Sequence, residues 1–447
     1  MTREALADRF RRHLDAAGLL DGPGRALLAV SGGPDSLALL DLVAGLAGER
    51  QLELLVVHAD HGIHPESGRV AEQVRRVAAD RYHVETEIAR MALGSEAGET
   101  EAREARYAFF REVQQRRGAR WLVTAHHADD QAETVVLRLL RGSGTAGLAG
   151  MAARSSRGLV RPLLPFTRAE LAEHVQAVGL EVFHDPANAD TRHTRSWVRH
   201  VIVPALQQRL GPEAAQSLLS VAQHASADLA AWDAVLDVLP GLEIRCAEGR
   251  FDIARAGLVG YDSVLAARLV RAAARRADLM VGPAQADRIV RFGKDAVSGR
   301  TLELGDGLTA QVAFERLVVA HATFAPPPAS ITSDAGEIRF GGFVLRWQGE
   351  PAPPALNRQG WTTWLRPGPV EVRAPQRGER MVPLGGVGHR SVSRLLMEGR
   401  VPRGERARWP LVVREGEPLW IPGVCRGQGA VPEPGTPAVR MDIAAAR

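Results

Sequence analysis

Six residues near the start of the chain, Ser31-Gly32-Gly33-Pro34-Asp35-Ser36, have the types and spacing needed to hold a phosphate group. Two adjacent glycines let backbone amides turn inward with no side chain in the way. Ser31 and Ser36 add hydroxyl donors, and the Asp35 carboxylate is suited to holding a magnesium ion between phosphate oxygens. The hexapeptide follows an apolar run, Ala26-Leu27-Leu28-Ala29-Val30, and precedes Leu37-Ala38-Leu39-Leu40-Asp41-Leu42-Val43. This order reads as strand, turn and helix, with the free amides and the positive dipole end of the helix aimed at the turn. A Walker loop would need a Gly-Lys-Ser/Thr ending, and a dinucleotide fingerprint would need three spaced glycines. Neither pattern is present here.

A second polar constellation is His126-His127-Ala128-Asp129-Asp130-Gln131-Ala132-Glu133-Thr134. It follows the strand-like Trp121-Leu122-Val123-Thr124-Ala125 and leads into a helix expected over Gln131–Leu140. Asp129 or Asp130 can cap that helix. A helix starting there puts Asp129 with Glu133 on one face, and Asp130 with Thr134 on another. One carboxylate would then bind magnesium or an amine, and another would orient a histidine. The next block, Arg141-Gly142-Ser143-Gly144-Thr145-Ala146-Gly147-Leu148-Ala149-Gly150-Met151, contains GxGxxG but follows a helix, so a loop that closes on a ligand is expected rather than a dinucleotide site.

Elements that alternate in the first half must position these groups. Leu54-Leu55-Val56-Val57 reads as a strand, and Ser67–Asp80 and Thr100–Arg116 read as helices. Short apolar strands between helices predict an α/β fold with a parallel sheet covered on both faces. Ligands in such sheets sit at the carboxyl ends of strands, where Ser31–Ser36, His58–Gly62 and His126-His127 would meet. Leu6, Phe10 and Leu14 predict a short amphipathic helix at the start. Strand alternation stops from about residue 205 to 320, where Gln216–Val238 and Ser263–Ala277 look helical. A proline-rich linker, Phe324–Ser330, then precedes Gly-, Pro- and Trp-rich strand-like runs that predict a small α+β domain. The expected division is 1–205 catalytic, 206–325 mainly helical, and 326–447 C-terminal.

At 447 residues, 45% hydrophobic and 24% charged, the chain has the composition of a soluble globular protein of about three domains. No stretch approaches the ~18 apolar residues of a membrane span. The N-terminus lacks the apolar core of a signal peptide, so a cytoplasmic location and no membrane partner are expected. Cys246 and Cys425 are far apart and form no zinc or disulfide framework. The formal charge is +4, and Lys294 is the only lysine. Between Arg373 and Arg408 nine arginines (Arg373, Arg377, Arg380, Arg390, Arg394, Arg400, Arg403, Arg406, Arg408) face three acids, Glu379, Glu398 and Glu405. That local excess predicts a surface that tracks nucleic-acid phosphates.

The SGGxDS pattern resembles the pyrophosphate (PP) loop of the N-type ATP pyrophosphatases, which cleave ATP to AMP and pyrophosphate and activate a substrate oxygen with the AMP. Four blocks in order narrow this further: SGGPDS at Ser31–Ser36, VHADHGIHPES at Val57–Ser67, HHADDQAET at His126–Thr134, and RGSGTAGLAGM at Arg141–Met151. With Asp185–Asp190, Arg195, Arg199 and Pro204, the first ~205 residues resemble the tRNA(Ile)-lysidine synthase family. The C-terminal region follows the same family's order more loosely, through Arg377–Arg380, Ser393–Glu398, Val401-Pro402, Arg408–Leu411 and Trp420–Gly423. Departures are His64 where arginine is common, Ser196 where asparagine is frequent, and Val392-Ser393-Arg394 where lysines usually precede the Leu-Phe pair.

The resemblance implies a ligase. ATP would adenylate the wobble cytidine of an isoleucine tRNA with a CAU anticodon, and free L-lysine would displace AMP to form lysidine. It implies ATP bound by Ser31, Gly32, Gly33, Pro34, Asp35 and Ser36, with Mg2+ on Asp35. Asp35, Arg106, His126, His127, Asp129, Asp130 and Glu133 are the expected catalytic set. Arg103 and Arg106, in Glu101–Tyr107, resemble the family's RExRY-like element, and of the two Arg106 is favoured as the arginine that assists the departing pyrophosphate. Arg195, Arg199, Arg377, Arg380, Arg394 and Arg400 are the expected tRNA contacts, and a homodimer is a candidate assembly. A cytidine thiolase would need cysteines in the catalytic half, and an amidating synthetase would need an ammonia source; neither is visible in the sequence. A catalytically dead RNA-binding protein would have no use for the intact loop and carboxylates.

Overall fold

The computed structural model describes residues 3–60, 67–91, 99–155, 157–183, 194–239, 241–321 and 325–445. His61, Gly62 and His64, with the Asp185–Asp190 block and Arg192, lie outside the described residues. The chain divides into two compact units, Met1–Ala231 and Trp232–Arg447.

The first unit runs α1 (Arg3–Ala17), β1 (Gly24–Ala29), α2 (Pro34–Ala47), β2 (Leu52–Asp60), α3 (Ser67–Tyr82), β3 (Glu85–Arg90), α4 (Glu99–Arg116), β4 (Trp121–Val123), α5 (Ala128–Leu140), α6 (Thr145–Leu148), β5 (Leu159–Val160) and α7 (Arg168–Val178). Then follow α8 (Thr194–Trp197), a π turn (Val198–Ile202), α9 (Val203–Leu210) and α10 (Ala214–Val238), which crosses into the second unit. The sheet is parallel, in the order β3-β2-β1-β4-β5.

Alternation along the strands decides what covers each face. Ala26 and Leu28 of β1, Val56 of β2, and Trp121 and Val123 of β4 pack with Leu37–Val43 of α2, Val70 and Val74 of α3, and Leu171 and Val175 of α7. Leu27, Leu55, Val57 and Leu122 face the other way, onto Phe110 and Val113 of α4. Leu6, Phe10 and Leu14 of α1 are buried, as their spacing predicts. The phosphate-loop helix α2 is buried around most of its girth, so its one deep carboxylate needs partners. Asp41 has them: His174 Nε2 of α7 at 2.8 Å and the Tyr82 hydroxyl of α3 at 2.9 Å.

β1 is flanked by β2 on one side and β4 on the other, so the chain leaves it in one direction and later returns on the opposite side. This is a topological switch point, and the loops after β1 and β4 open side by side at the carboxyl edge.

The two helices expected beyond residue 205 are present as α10 and α12 (Ser263–Arg276), and the second unit adds α13 (Pro283–Asp295) and the short α11 (Arg255–Val259). The structure adds an antiparallel sheet that the sequence reading did not name. It comprises β6 (Arg245–Ala247), β7 (Arg250–Ala254), β8 (Thr301–Gly305), β9 (Leu308–Ala313) and β10 (Arg316–His321), in the order β6-β7-β10-β9-β8. These strands are short, and their apolar faces close on Leu269, Val270 and Ala273 of α12 and Ile289 and Val290 of α13.

Beyond residue 325 two further sheets share a core of Phe340, Leu345, Trp347, Val372 and Trp420. One is built from β11 (Ala329–Ile331), β15 (Val370–Arg373), β18 (Leu411–Arg414), β19 (Glu417–Ile421) and β20 (Cys425–Arg426). The other holds β12 (Gly336–Phe340), β13 (Phe343–Pro351), β14 (Thr362–Leu365) and β21 (Pro437–Ala445). A hairpin of β16 (Arg380–Met381) and β17 (Arg390–Ser391) leads into α14 (Val392–Glu398), followed by α15 (Arg403–Arg406). Among the described residues no helix is long and apolar enough to cross a membrane.

Candidate active site

The Val30 N–H still bonds Val57 O at 3.1 Å, so Ser31 is the first residue beyond the sheet. Gly32 turns the chain at φ +87°, and a Cβ there would stand 2.9 Å from Val70 Cγ1. Its carbonyl accepts from Phe183 N–H at 3.0 Å. Gly33 caps α2 in an extended conformation, and Pro34 takes the first helical position, where a missing N–H removes no helical bond. The Ser36 hydroxyl donates to Gly33 O at 2.9 Å and accepts from Ser31 N–H at 3.1 Å. Ser31 Oγ lies 3.2 Å from Ser36 Oγ, so the two hydroxyls brace the turn from within.

α5 starts three residues earlier than the sequence reading has it, at Ala128, which brings both aspartates into its first turn. His127 is the N-cap, and Asp130 Oδ2 accepts from its backbone N–H at 3.1 Å. The starts of α5 and α7 are laced together: Ala128 N–H bonds Phe166 O at 2.8 Å, and Arg168 N–H bonds Asp129 Oδ2 at 2.8 Å.

The switch point joins the two constellations through His127, which is 1% exposed. Its Nε2 lies 3.4 Å from Asp35 Oδ2 and 3.3 Å from Asp130 Oδ2, and its Nδ1 lies 3.4 Å from Asp129 Oδ2. Burial pushes the imidazole pKa down, but Asp129, Asp35 and Asp130 outweigh it and hold it up at about 9. His126 behaves oppositely. Burial, helped by Arg161, Arg103 and Arg195 against the pull of Asp130, lowers its pKa to about 3, and Nδ1 sits 2.9 Å from Thr124 Oγ1. At neutral pH the pair is therefore one imidazolium and one neutral imidazole.

Asp130 and Glu133 share two cations, Arg195 and Arg199. Arg199 Nε donates to Glu133 Oε1 at 2.6 Å, and Arg195 Nε donates to Glu133 Oε2 at 3.0 Å. Each arginine also reaches Asp130 Oδ1 through Nη2 at 3.1 Å. Pro204 supplies no N–H to the carbonyls upstream, and the backbone there widens into the π turn that carries Arg199. Burial opposes the Asp130 charge, yet His127, Arg195 and His126 keep its pKa below the usual carboxylate value. Asp129 is the most open of the three acids, its side chain 48% exposed. Burial raises its pKa, but His127, the Arg168 amide and the Arg168 charge bring it to about 2.

At the rim, His58 is buried with Nδ1 2.8 Å from Val30 O, which ties β2 to the end of β1. Burial lowers its pKa, and Arg106 of α4 is close enough to lower it further. Arg106 is thus on the side of β2, while Arg103 lies over the Tyr107 ring. The glycine-rich segment after α5 is pinned flat on that helix. Arg138 Nη1 donates to Gly147 O at 2.7 Å and Gly150 O at 2.6 Å, and Gln131 exchanges two bonds with the Met151 backbone.

The remaining arginines of the sequence reading lie in the second unit. Arg377, Arg380, Arg394 and Arg400 are exposed there. Arg380 Nη2 donates to His389 O, and Arg394 Nε meets Glu398 at 3.2 Å. Arg373 leaves the surface cluster: it is buried and bonded to Glu379.

A magnesium ion fits the loop chemically. Asp35 Oδ1 is buried and has no hydrogen-bond partner among the described residues, while the side chain stays 23% exposed. No group of three metal-ligating side chains occurs among the described residues, so such an ion would take its remaining ligands from phosphate and water, as magnesium commonly does.

Sequence reasoning missed the pairing of Arg195 and Arg199 with Asp130 and Glu133. The signal available was spacing: two arginines four apart and two acids three apart each share one helical face.

A family profile for the PP-loop domain matches residues 4–206, and one for the TilS substrate C-terminal domain matches residues 370–443. The tRNA(Ile)-lysidine synthase of Symbiobacterium thermophilum is 31% identical, over 98% of this chain and 98% of its own. Those of Solibacter usitatus and Alkalilimnicola ehrlichii are 33% and 34% identical, over 92% and 93% of this chain and 96% and 92% of theirs. With likeness sustained along nearly the full length of both partners, and the loop and acids assembled at one switch point, this chain belongs to the tRNA(Ile)-lysidine synthase family, ATP-dependent ligases built on the PP-loop fold.

Proposed function

We propose that the protein joins free L-lysine to the wobble cytidine of an isoleucine tRNA bearing CAU, through an adenylated cytidine, releasing pyrophosphate and then AMP. The observation that carries this reading is the 3.4 Å approach of His127 Nε2 to Asp35 Oδ2, which makes one site of a phosphate loop and an acidic helix start. In the first step the cytidine carbonyl oxygen bonds to the α-phosphorus while the bond from that phosphorus to the bridging oxygen breaks. Negative charge grows on the departing pyrophosphate. The Gly32 and Gly33 amides and the start of α2 oppose it, with Arg106 as a further cation. Bound to Asp35, magnesium would neutralise phosphate charge.

In the second step the lysine ε-amine bonds to the adjacent ring carbon, and the carbon–oxygen bond to AMP breaks. The free amine titrates near ~10.4, so lysine arrives as an ammonium ion. We assign its capture to Asp129, because Asp130 and Glu133 already face Arg195 and Arg199. The captured ammonium loses a proton to water before attack. His126, neutral and with a pKa of about 3, serves as a hydrogen-bonding contact and not as a base. We further assign 1–205 to catalysis, and 206–325 and 326–447 to holding tRNA, with Arg377, Arg380, Arg394 and Arg400 on phosphates.

The test is incorporation of labelled lysine with ATP into isoleucine and methionine tRNAs that share CAU. Label in the isoleucine tRNA alone, with pyrophosphate release dependent on tRNA, is the expected result. Absence of label, or release indifferent to tRNA, would remove the proposal.

A further inference from the structure

A basic cavity of about 550 Å³ lies in the second unit, between the 382–389 loop, α14 and the turn before β20. Four arginines line it, Arg358, Arg390, Arg400 and Arg426, against one acid, Glu398, which leaves a net charge of +3. Arg426 is 1% exposed. Its guanidinium donates only to backbone carbonyls, those of Leu419 at 2.8 Å, Gly427 at 2.5 Å, Ala430 at 3.3 Å and Trp364 at 3.4 Å. Among the described residues it forms no ion pair, although the Glu417 carboxylate is near enough to act on its charge. Arg390 is held by Glu398 at 2.5 Å. Arg358 and Arg400 are exposed and form no ion pair among the described residues. The Arg358 guanidinium packs against Gly385 of the 382–389 loop, where it would clash with a Cβ. Arg400 holds a φ of +57°, rare for a side chain of its kind, in the turn that brings it to the cavity.

Beside the cavity stands Trp361, 46% exposed yet fixed in place. Its ring packs on the lining residue Gly423, where a Cβ would stand 2.6 Å away. Phe343 stacks on it at 6.1 Å between centroids and Trp409 packs at 5.8 Å. A rigid, half-exposed indole next to uncancelled guanidiniums matches the two halves of a nucleotide, an anion and a flat base. In duplex RNA the bases are stacked on each other and unavailable to an indole, so the match is to an unpaired nucleotide.

We propose that this cavity binds one phosphate of single-stranded RNA through Arg358, Arg390 and Arg400, with the attached base on Trp361. The proposal rests on the RNA-modifying reading above and specifies one RNA contact. The phosphate is either a chain-end monoester or an internal diester, and the test separates them.

The full chain is titrated with a short, 3′-labelled single-stranded RNA carrying either a 5′-phosphate or a 5′-hydroxyl, across a salt series. The double variant Arg358→Ser/Arg400→Ser should weaken binding at least tenfold. It should also lower the slope of log affinity against log salt by up to ~0.7, the value for the one phosphate that the cavity neutralises. Trp361→Leu should weaken binding about fivefold or more with the slope unchanged. Tighter binding of the 5′-phosphorylated strand assigns the chain end, and equal binding assigns an internal diester. Wild-type affinity in both variants, or equal displacement by duplex RNA, overturns the proposal. So does a matching loss of ATP affinity, because the substitutions would then disturb more than this cavity. If the wild-type chain incorporates no lysine yet its RNA binding keeps this dependence on the variants, the ligase reading falls and the cavity assignment stands.

Discussion

His127 Nε2 stands 3.4 Å from Asp35 Oδ2 and 3.3 Å from Asp130 Oδ2, so a single imidazolium ties the acid of the phosphate loop to the start of α5. Neither strand end alone would hold these groups together. β1 and β4 are neighbours, and each loop supplies one side of the contact.

The first prediction concerns Asp35. Its buried, unpartnered Oδ1 and partly exposed side chain suit a cation between carboxylate and phosphate. Asp35→Ala should reduce tRNA-dependent pyrophosphate release by at least a hundredfold and leave tRNA affinity within twofold. Pyrophosphate assays and filter binding on the same preparation check it, and normal turnover would remove Asp35 from phosphate chemistry.

The second concerns pH. The His127 pKa rises from 6.5 to about 9 on folding. A group with a raised folded pKa gives stability that is fully present below pH 6.5 and is lost as pH climbs through 9. At ~1.4 kcal/mol per pKa unit, the contribution is on the order of 3 kcal/mol. Urea midpoints of nucleotide-free protein should therefore fall between pH 6.5 and 9, and the fall should be shallower in His127→Gln. Parallel curves for the two proteins would contradict the imidazolium assignment.

A third prediction follows from Arg199 and Glu133, bonded at 2.6 Å with Glu133 nearly sealed from solvent. Removing one partner leaves the other charge uncompensated, so Arg199→Met and Glu133→Gln should each destabilise by roughly 2–4 kcal/mol. Combined, they should cost less than the sum, with a coupling of about 1–3 kcal/mol. Additive effects in denaturant unfolding would show that Arg195 alone satisfies Glu133.

Much of this site is legible in the chain because its chemistry is local. The phosphate loop is six consecutive residues, and His126–Glu133 is one strand-to-helix junction, so residue type and order suffice. What sequence leaves open is the partner across space. Asp129, Asp130 and Glu133 look equivalent as letters, yet one takes an amide from α7 and two take guanidiniums from the π turn. Arg195 and Arg199 read as phosphate contacts because an arginine four from another arginine fits either use. Arg373 reads as surface for the same reason, although β15 turns it inward onto Glu379. The β6–β10 sheet goes unseen because strands of three to six residues between amphipathic helices carry too little alternation to stand out.

The last prediction separates the two glycines of the loop. Gly32 has φ +87°, and any Cβ would stand 2.9 Å from Val70 Cγ1, whereas Gly33 is extended and its nearest neighbour to a Cβ is Ser31 Oγ at 3.7 Å. Gly32→Ala must therefore strain the backbone, displace α3 or both, at roughly 1–3 kcal/mol. Relief of that strain would rotate the inward amides, so ATP affinity should fall tenfold or more. Gly33→Ala keeps its backbone and meets only ordinary contact, so its stability should stay within about 1 kcal/mol of wild type. Its Cβ does narrow the approach to the amides, and a modest loss of ATP affinity with normal stability is the expected signature. Nucleotide titrations and thermal melts on the two variants read these quantities independently. An equal response from both would mean that crowding by the methyl group, and not the left-handed turn at Gly32, governs how this loop meets phosphate.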